Sequence, residues 1–270
     1  MVALLNVVRV KILRVARALP LFAALGSGVL YGQEFSPRGF QGVAASEAHS
    51  ESQRESIPLY YYHDKPPYIV DPSSQQGDYF ELVSHLNNVP GGYHFYLEYL
   101  PRNRVDRKLS QGQLDGPVIG VNPLWFKDPD EQRYWWTSAI FNDRDIFVSK
   151  ALRPFEFVDA SSLHGKLACL VLGNYYVGVS EAVSEGVLRQ IKTTREEVVL
   201  EMLDQDRCDF GIVSESLFRY WQASHTAPGS FYVARQPHDE FQRRILVPRS
   251  RLTLFLHLQQ ALEAWPVTQN

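Results

Sequence analysis

From position 57 onward, short apolar runs alternate with stretches whose apolar residues recur at helical spacing. Residues 57–62 read as an apolar, aromatic strand closed by His63-Asp64-Lys65-Pro66-Pro67. Asp78 reads as the cap of a helix with Tyr79, Leu82, Val83 and Leu86 on one face. A strand follows at 93–100, and Pro101 starts a helix carrying Val105 and Leu109 that Gly112 stops. Residues 118–121 form a short buried strand, and 140–149 are extended with a polar interruption, Asn142-Asp143-Arg144-Asp145.

A second set has the same rhythm. A strand at 166–172 turns at Gly173 into a helix through about residue 187, and 190–193 is a strand. Residues 195–203 form a helix with Val198, Val199 and Met202 inward, 209–213 form a strand, and Ser214 caps a helix over 215–223. After an extended stretch at 231–234, Ser250 caps a last helix whose Leu252, Phe255, Leu258, Leu262 and Trp265 share one face. Strands separated by helix-length segments predict α/β architecture with mainly parallel sheets, and two sets predict two small lobes. Open sheets of this kind hold ligands beyond the carboxyl ends of their strands. The informative loops are therefore those at His63-Asp64, after residue 120, from Gly173 to Tyr176, and at Ser214-Glu215.

The first 17 residues carry Arg9, Lys11, Arg14 and Arg17 and no acid, and an apolar stretch of about 14 residues follows. Basic first and short apolar second is the pattern of a secretory signal, here residues 1–32 with cleavage as late as 45. The other reading is an uncleaved anchor that also uses residues 1–8, although the stretch falls short of the roughly 20 residues that span a bilayer. Residues 33–56, rich in Ser, Glu and Gly, read as a flexible leader.

Composition narrows the classes. With 45% hydrophobic and 13% aromatic residues, the 270-residue chain has material for real cores. The formal charge of -3 gives no footprint for nucleic acid, and losing the four basic residues of 1–32 moves it to -7. Two cysteines make neither a disulfide scaffold nor a metal site. Export permits a Cys169–Cys208 bridge if their strands are neighbours; two buried free thiols are the equal alternative.

The order of motifs resembles the family 3 extracellular solute-binding proteins, the periplasmic receptors of amino-acid uptake. Six elements carry the likeness: the turn from Tyr62 to Tyr68 through Pro66-Pro67; Gly77-Asp78-Tyr79-Phe80-Glu81-Leu82; Leu109-Ser110-Gln111-Gly112-Gln113-Leu114-Asp115; Arg133 ahead of an aromatic segment ending at Phe141; Ser162-Leu163-His164-Gly165-Lys166; and Met202-Leu203 running to Asp209. The resemblance spans roughly 57–265 and implies a type II periplasmic-binding clamshell. Lobe 1 would be 57–148 plus 235–265 and lobe 2 would be 149–234, with crossings near Ser149-Lys150 and 231–235. A guest would bind between the lobes and close the hinge.

The resemblance also implies site residues. Arg133 stands near the arginine that grips a ligand carboxylate in the family, although the loop before it is longer here. Asn122 follows the buried strand where relatives carry a hydroxyl, and Trp125 offers an aromatic wall. His63, Asp64 and Tyr68 end the first strand. Asn174 and Tyr175 stand where amino-acid binders have Gly-Thr-Thr, and Ser214 replaces their ammonium-binding aspartate, with Glu215 beside it. Each has a plainer alternative: a surface pair for Arg133, a turn for Asn122, a local Asp64 partner for His63, helix-dipole placement for Glu215.

The expected protein is a non-catalytic, monomeric, exported receptor in the periplasm of a Gram-negative bacterium. It would hold a small amino-acid-like or carboxylate solute without cofactor or metal and serve an ABC transporter permease or a membrane sensor. A non-transport sensory or interaction module on the same fold, and less so a dehydratase-type enzyme, are the alternatives.

Overall fold

The computed structural model describes residues 54–225 and 229–269. The export signal expected at 1–32, its late cleavage point, and the leader up to residue 53 lie outside the described residues. Among the described residues, no helix is long and apolar enough to cross a membrane.

The first half begins with β1 (Glu55–Tyr61), so the last leader residues are strand rather than linker. Next come α1 (Asp78–Asn88), β2 (Tyr93–Tyr99), α2 (Arg102–Ser110) and β3 (Val118–Val121). β1 pairs in parallel with both β2 and β3. α1 starts after Gly77, whose φ of 130° and position favour glycine: a Cβ there would lie 2.4 Å from the Tyr68 carbonyl oxygen. Asp78 is thus the first helical residue and not the cap. Tyr79, Leu82 and Leu86 are buried, as the helical period predicts.

The second half holds β6 (Leu167–Val171), α3 (Val179–Ser184), β7 (Arg189–Thr193), α4 (Glu196–Asp204), β8 (Phe210–Ser214) and α5 (Glu215–His225). β6 pairs in parallel with β7 and β8. Its helix α3 starts at Val179 rather than Gly173, because residues 173–178 turn before the chain becomes helical. A disulfide joins Cys169 to Cys208, closing a separation of 39 residues.

Two long strands join the halves: β5 (Phe141–Lys150) and β10 (Asp239–Val247). Their antiparallel register sets Phe141 opposite Arg243, Asp143 opposite Phe241 and Asp145 opposite Asp239. Beyond that overlap, β5 pairs with β8 and with β9 (Phe231–Val233). The other end of β10 pairs with β3 and with β4 (Trp135–Trp136). The strand order β2-β1-β3-β10-β5-β8-β6-β7 is therefore one hydrogen-bonded ladder. β11 (Thr268–Gln269) adds to β5.

Each half nevertheless has its own cores on the two faces of its strands. In the first, Leu59, Phe95 and Ile119 pack under α1 and α6 (Leu252–Ala261), while Val105, Val118 and Leu246 pack on the other face. In the second, Phe147, Leu170 and Phe210 fill one face, and Cys169, Leu203 and Val213 the other. Full burial of such side chains contributes about 1.5–3 kcal/mol each. The last helix turns Leu254, Leu258 and Ala261 inward and leaves Leu252 exposed, with Arg251 at its cap position instead of Ser250.

Candidate functional site

Period-two alternation in β5 and β10 gives their overlap two chemically different faces. One carries Asp143, Asp145, Phe241 and Arg243; the other carries the opposed pairs Asn142–Gln242 and Arg144–Glu240.

Arg243 anchors the first face and is only 2% exposed. Its Nε donates to the Tyr68 hydroxyl at 2.8 Å, its Nη2 to Asp143 Oδ2 at 3.0 Å, and its Nη1 to the Gly120 carbonyl at 3.1 Å. Gly120 lies at φ +73°, and a Cβ there would fall 1.8 Å from the Tyr79 hydroxyl. Only glycine leaves room there for the Tyr79 ring. Asp143 also accepts from the Tyr68 hydroxyl at 2.7 Å and from Ser216 Oγ at 2.9 Å. Tyr68 and Gly120 from the first half thus meet Ser216 from the second on the crossing strands. Burial pushes the Asp143 carboxyl up, but Arg243, the hydrogen bonds and Lys65 outweigh it and hold it below the ordinary range.

Above this floor the carboxyl ends of the strands converge. Lys65, in the loop after β1, reaches across to the second half: its Nζ lies 2.5 Å from Glu196 Oε1 and donates to Ser214 Oγ at 2.9 Å. Ser214 in turn donates its backbone N–H and its hydroxyl to Glu196 Oε2 at 2.9 and 2.8 Å. Ser214 closes β8 and spends its hydroxyl on this bridge. Burial pushes the Glu196 carboxyl up, yet Lys65 and Ser214 bring it below its usual value. Asp145, opposite Ser214 in the sheet, is pushed up to about 7, first by burial and then by the Glu196 charge.

Aromatic rings wall the first-half side. His63 lies between Tyr62 and Trp125, with centroids 4.2 and 5.5 Å away. Trp125 meets Phe241 at 5.0 Å. Burial, then the neighbouring Arg243, Lys65 and Arg102 charges, drive the His63 pKa well below its usual value, so its ring is neutral. Its Nδ1 is buried and has no partner among the described residues.

Of the residues singled out from the sequence, His63, Tyr68, Trp125 and Ser214 come together here. Asp64 is exposed. Asn174 is exposed and donates to the Tyr176 hydroxyl at 3.0 Å, while Tyr175 is exposed and bonds Glu181. Arg133 is exposed and donates to the Phe126 carbonyl at 3.2 Å. The long loop before it is wound around Asp128, whose carboxylate accepts the backbone N–H of Gln132 and Arg133 and the Trp136 indole N–H. Asn122 and Glu215 belong to the opposite face of the crossing strands, where a cavity of about 490 Å³ opens. There Asn122 accepts from Leu124 N–H at 2.9 Å, and Glu215 forms a bidentate pair with Arg144 at 2.5 and 2.8 Å.

Lys65, Asp143, Asp145, Glu196 and Arg243 were not singled out. Asp143 and Asp145 had a visible signal, two acids at period two within an extended run. Arg243 had a weaker one, a charge just ahead of Ile245-Leu246-Val247. Among the described residues, no group of His, Cys, Asp and Glu is disposed to hold a metal ion.

This architecture is the two-lobed α/β clamshell of the type II periplasmic-binding fold. No family model matches the chain, and no curated protein matches it. Solved structures do. An ancestral arginine-binding protein bound to arginine shares 14% identity over 78% of this chain and 92% of its own, with a TM-score of 0.59. The holo arginine-binding protein ArgBP from T. maritima shares 13% over 82% of this chain and 93% of its own, with a TM-score of 0.57. The GluR0 ligand-binding core from Nostoc punctiforme, in complex with L-glutamate, shares 13% over 77% of this chain and 91% of its own, with a TM-score of 0.59. At such identities the likeness is one of fold.

Proposed function

We propose that the chain is an exported, non-catalytic solute receptor that closes its halves on a small polar, amino-acid-like guest. One observation carries this reading: charged and hydroxyl groups from both halves, Lys65 on one side and Glu196 and Ser214 on the other, converge at the carboxyl ends of the parallel strands. That is where open α/β sheets hold ligands. The crossing strands β5 and β10 serve as the hinge where residues 141–145 and 239–243 run side by side, earlier in β5 than the crossing expected near Ser149-Lys150, because Ile146, Phe147 and Val148 already pack in the second half. Asp145 supplies a further carboxyl facing the same corner, and Trp125 a ring beside His63 and the Arg243 guanidinium. The Cys169–Cys208 disulfide accords with an oxidising compartment such as the periplasm. A permease of an ABC transporter or a membrane sensor is the partner this reading implies, with the receptor as a monomer.

A second reading, a sensory or interaction module that takes no guest, draws on the Lys65–Glu196 pair, which already ties the halves together. Thermal unfolding in the presence of amino acids, small carboxylates and polyamines separates the two. A receptor is stabilised saturably by one solute class and returns that solute chemically unchanged. An unresponsive protein supports the module, and a consumed solute supports an enzyme.

A further inference from the structure

The corner that receives Lys65 is built by Glu196 and Ser214 of the second half beside the crossing strand β5. Glu196 is held in place without the lysine, because both the N–H and the hydroxyl of Ser214 donate to its Oε2. That leaves Glu196 Oε1 and a lone pair of Ser214 Oγ directed at the lysine Nζ, at 2.5 and 2.9 Å. Asp145 is paired in register with Ser214 and adds a second carboxyl on the same side of the sheet. The Lys65 and Glu196 side chains are each 13% exposed, so the contact is largely shielded from water. Two oxygens at hydrogen-bond distance, a neighbouring carboxyl and a shielded setting suit an –NH3+ group, whose three protons need three acceptors or water. Lys65 itself arrives from the opposite half on a loop held by Pro66 and Pro67.

We infer that Glu196 and Ser214, with the Asp145 carboxyl nearby, form a primary-ammonium site which the chain fills with its own Lys65, so that a guest ammonium enters by displacing it. Lys65 is then an intramolecular competitor. Its high effective concentration lowers the apparent affinity for free amines, and only a guest with further contacts to the cleft overcomes it. Displacement also frees the lysine for an anionic group on the same guest. The physiological part of this inference rests on the receptor reading; the ammonium site does not.

The test is chemical complementation. Lys65→Ala removes the atoms of propylammonium, so propylammonium chloride is the probe, with sodium chloride and tetramethylammonium chloride at equal ionic strength as controls. In Lys65→Ala, propylammonium at tenfold its half-saturating concentration should raise Tm by about 3–6 °C. Wild type, whose site is filled, and Lys65→Ala/Glu196→Gln should not respond. If Lys65→Ala alone does not accumulate as folded protein, recovery of soluble protein on refolding with propylammonium is the readout, and equal recovery with tetramethylammonium refutes the site. No propylammonium-specific response in Lys65→Ala, or the same response in all three proteins, overturns the inference. A complemented Lys65→Ala alongside a wild type that no solute stabilises would retain the ammonium site and remove the receptor reading. A solute-binding wild type with no complementation would do the reverse.

Discussion

Asp143 and Arg243 form an ion pair at 3.0 Å in which neither side chain is more than 2% exposed, at the point where the two strands linking the halves run side by side. Charges so placed are tolerated because each is multiply hydrogen-bonded, the guanidinium to Tyr68 and Gly120 and the carboxylate to Tyr68 and Ser216. The pair gives the overlap of β5 and β10 a buried polar centre.

Removing one member leaves the other buried and uncompensated. Arg243→Met should cost about 3–5 kcal/mol in urea unfolding, and Asp143→Leu a similar amount. The double variant should recover a large part of the loss, since an apolar pair of comparable volume strands no charge. Additive losses would show that the two groups act separately.

Asp145 makes stability depend on pH in a defined direction. Its folded pKa, about 7, lies above that of an unfolded aspartate, so the native state binds the extra proton between roughly pH 4 and 7. Its contribution is present at the acid end of that window and is lost as pH rises through 7. His63 acts oppositely: depressed in the folded state, it destabilises as pH falls below about 6.5, where the unfolded imidazole takes up a proton. The stability of Asp145→Asn relative to wild type should therefore increase from pH 5 to pH 8. A flat difference would contradict the burial assigned to this carboxyl.

The Cys169–Cys208 bridge closes a separation of 39 residues, which the chain-entropy relation makes worth about 4 kcal/mol. Replacing both cysteines by alanine should lower Tm by roughly 8–16 °C for a domain of this size. An unchanged melting curve would mean that the thiols are unbonded in solution.

Arg133 lies outside the converging groups, tied to the Phe126 carbonyl and stacked against Tyr134. Arg133→Ala should leave solute affinity within about twofold, as expected of an exposed contact. A tenfold loss by calorimetry would relocate the binding site to that loop.

Most of the alternation of strands and helices was legible because apolar periodicity is a local signal. The strand Asp239–Val247 was not, since its first half, from Asp239 to Arg244, carries charges and reads as a loop until the partners on β5 are known. The same limit applies to the site. His63, Trp125 and Ser214 lie in loops that the strand-end rule picks out, and Tyr68 came with the family resemblance. Lys65 and Glu196 are 131 residues apart, and no local pattern announces that they meet. Asn122 and Glu215 sit at strand ends too, but strand alternation and the helix start turn them to the far face of the crossing strands.

Under the receptor reading, a small guest is held at Glu196 and Ser214, with the Asp145 carboxyl beside them. Calorimetric titration of wild type and Asp145→Asn/Ser214→Ala, with whichever solute stabilises the wild type in the thermal screen, tests it most directly. Wild type should show saturable one-to-one binding and the double variant at least a tenfold weaker Kd, the loss expected for one or two hydrogen bonds to a charged group. Equal affinity in the two proteins would place the guest elsewhere and overturn this assignment of the site.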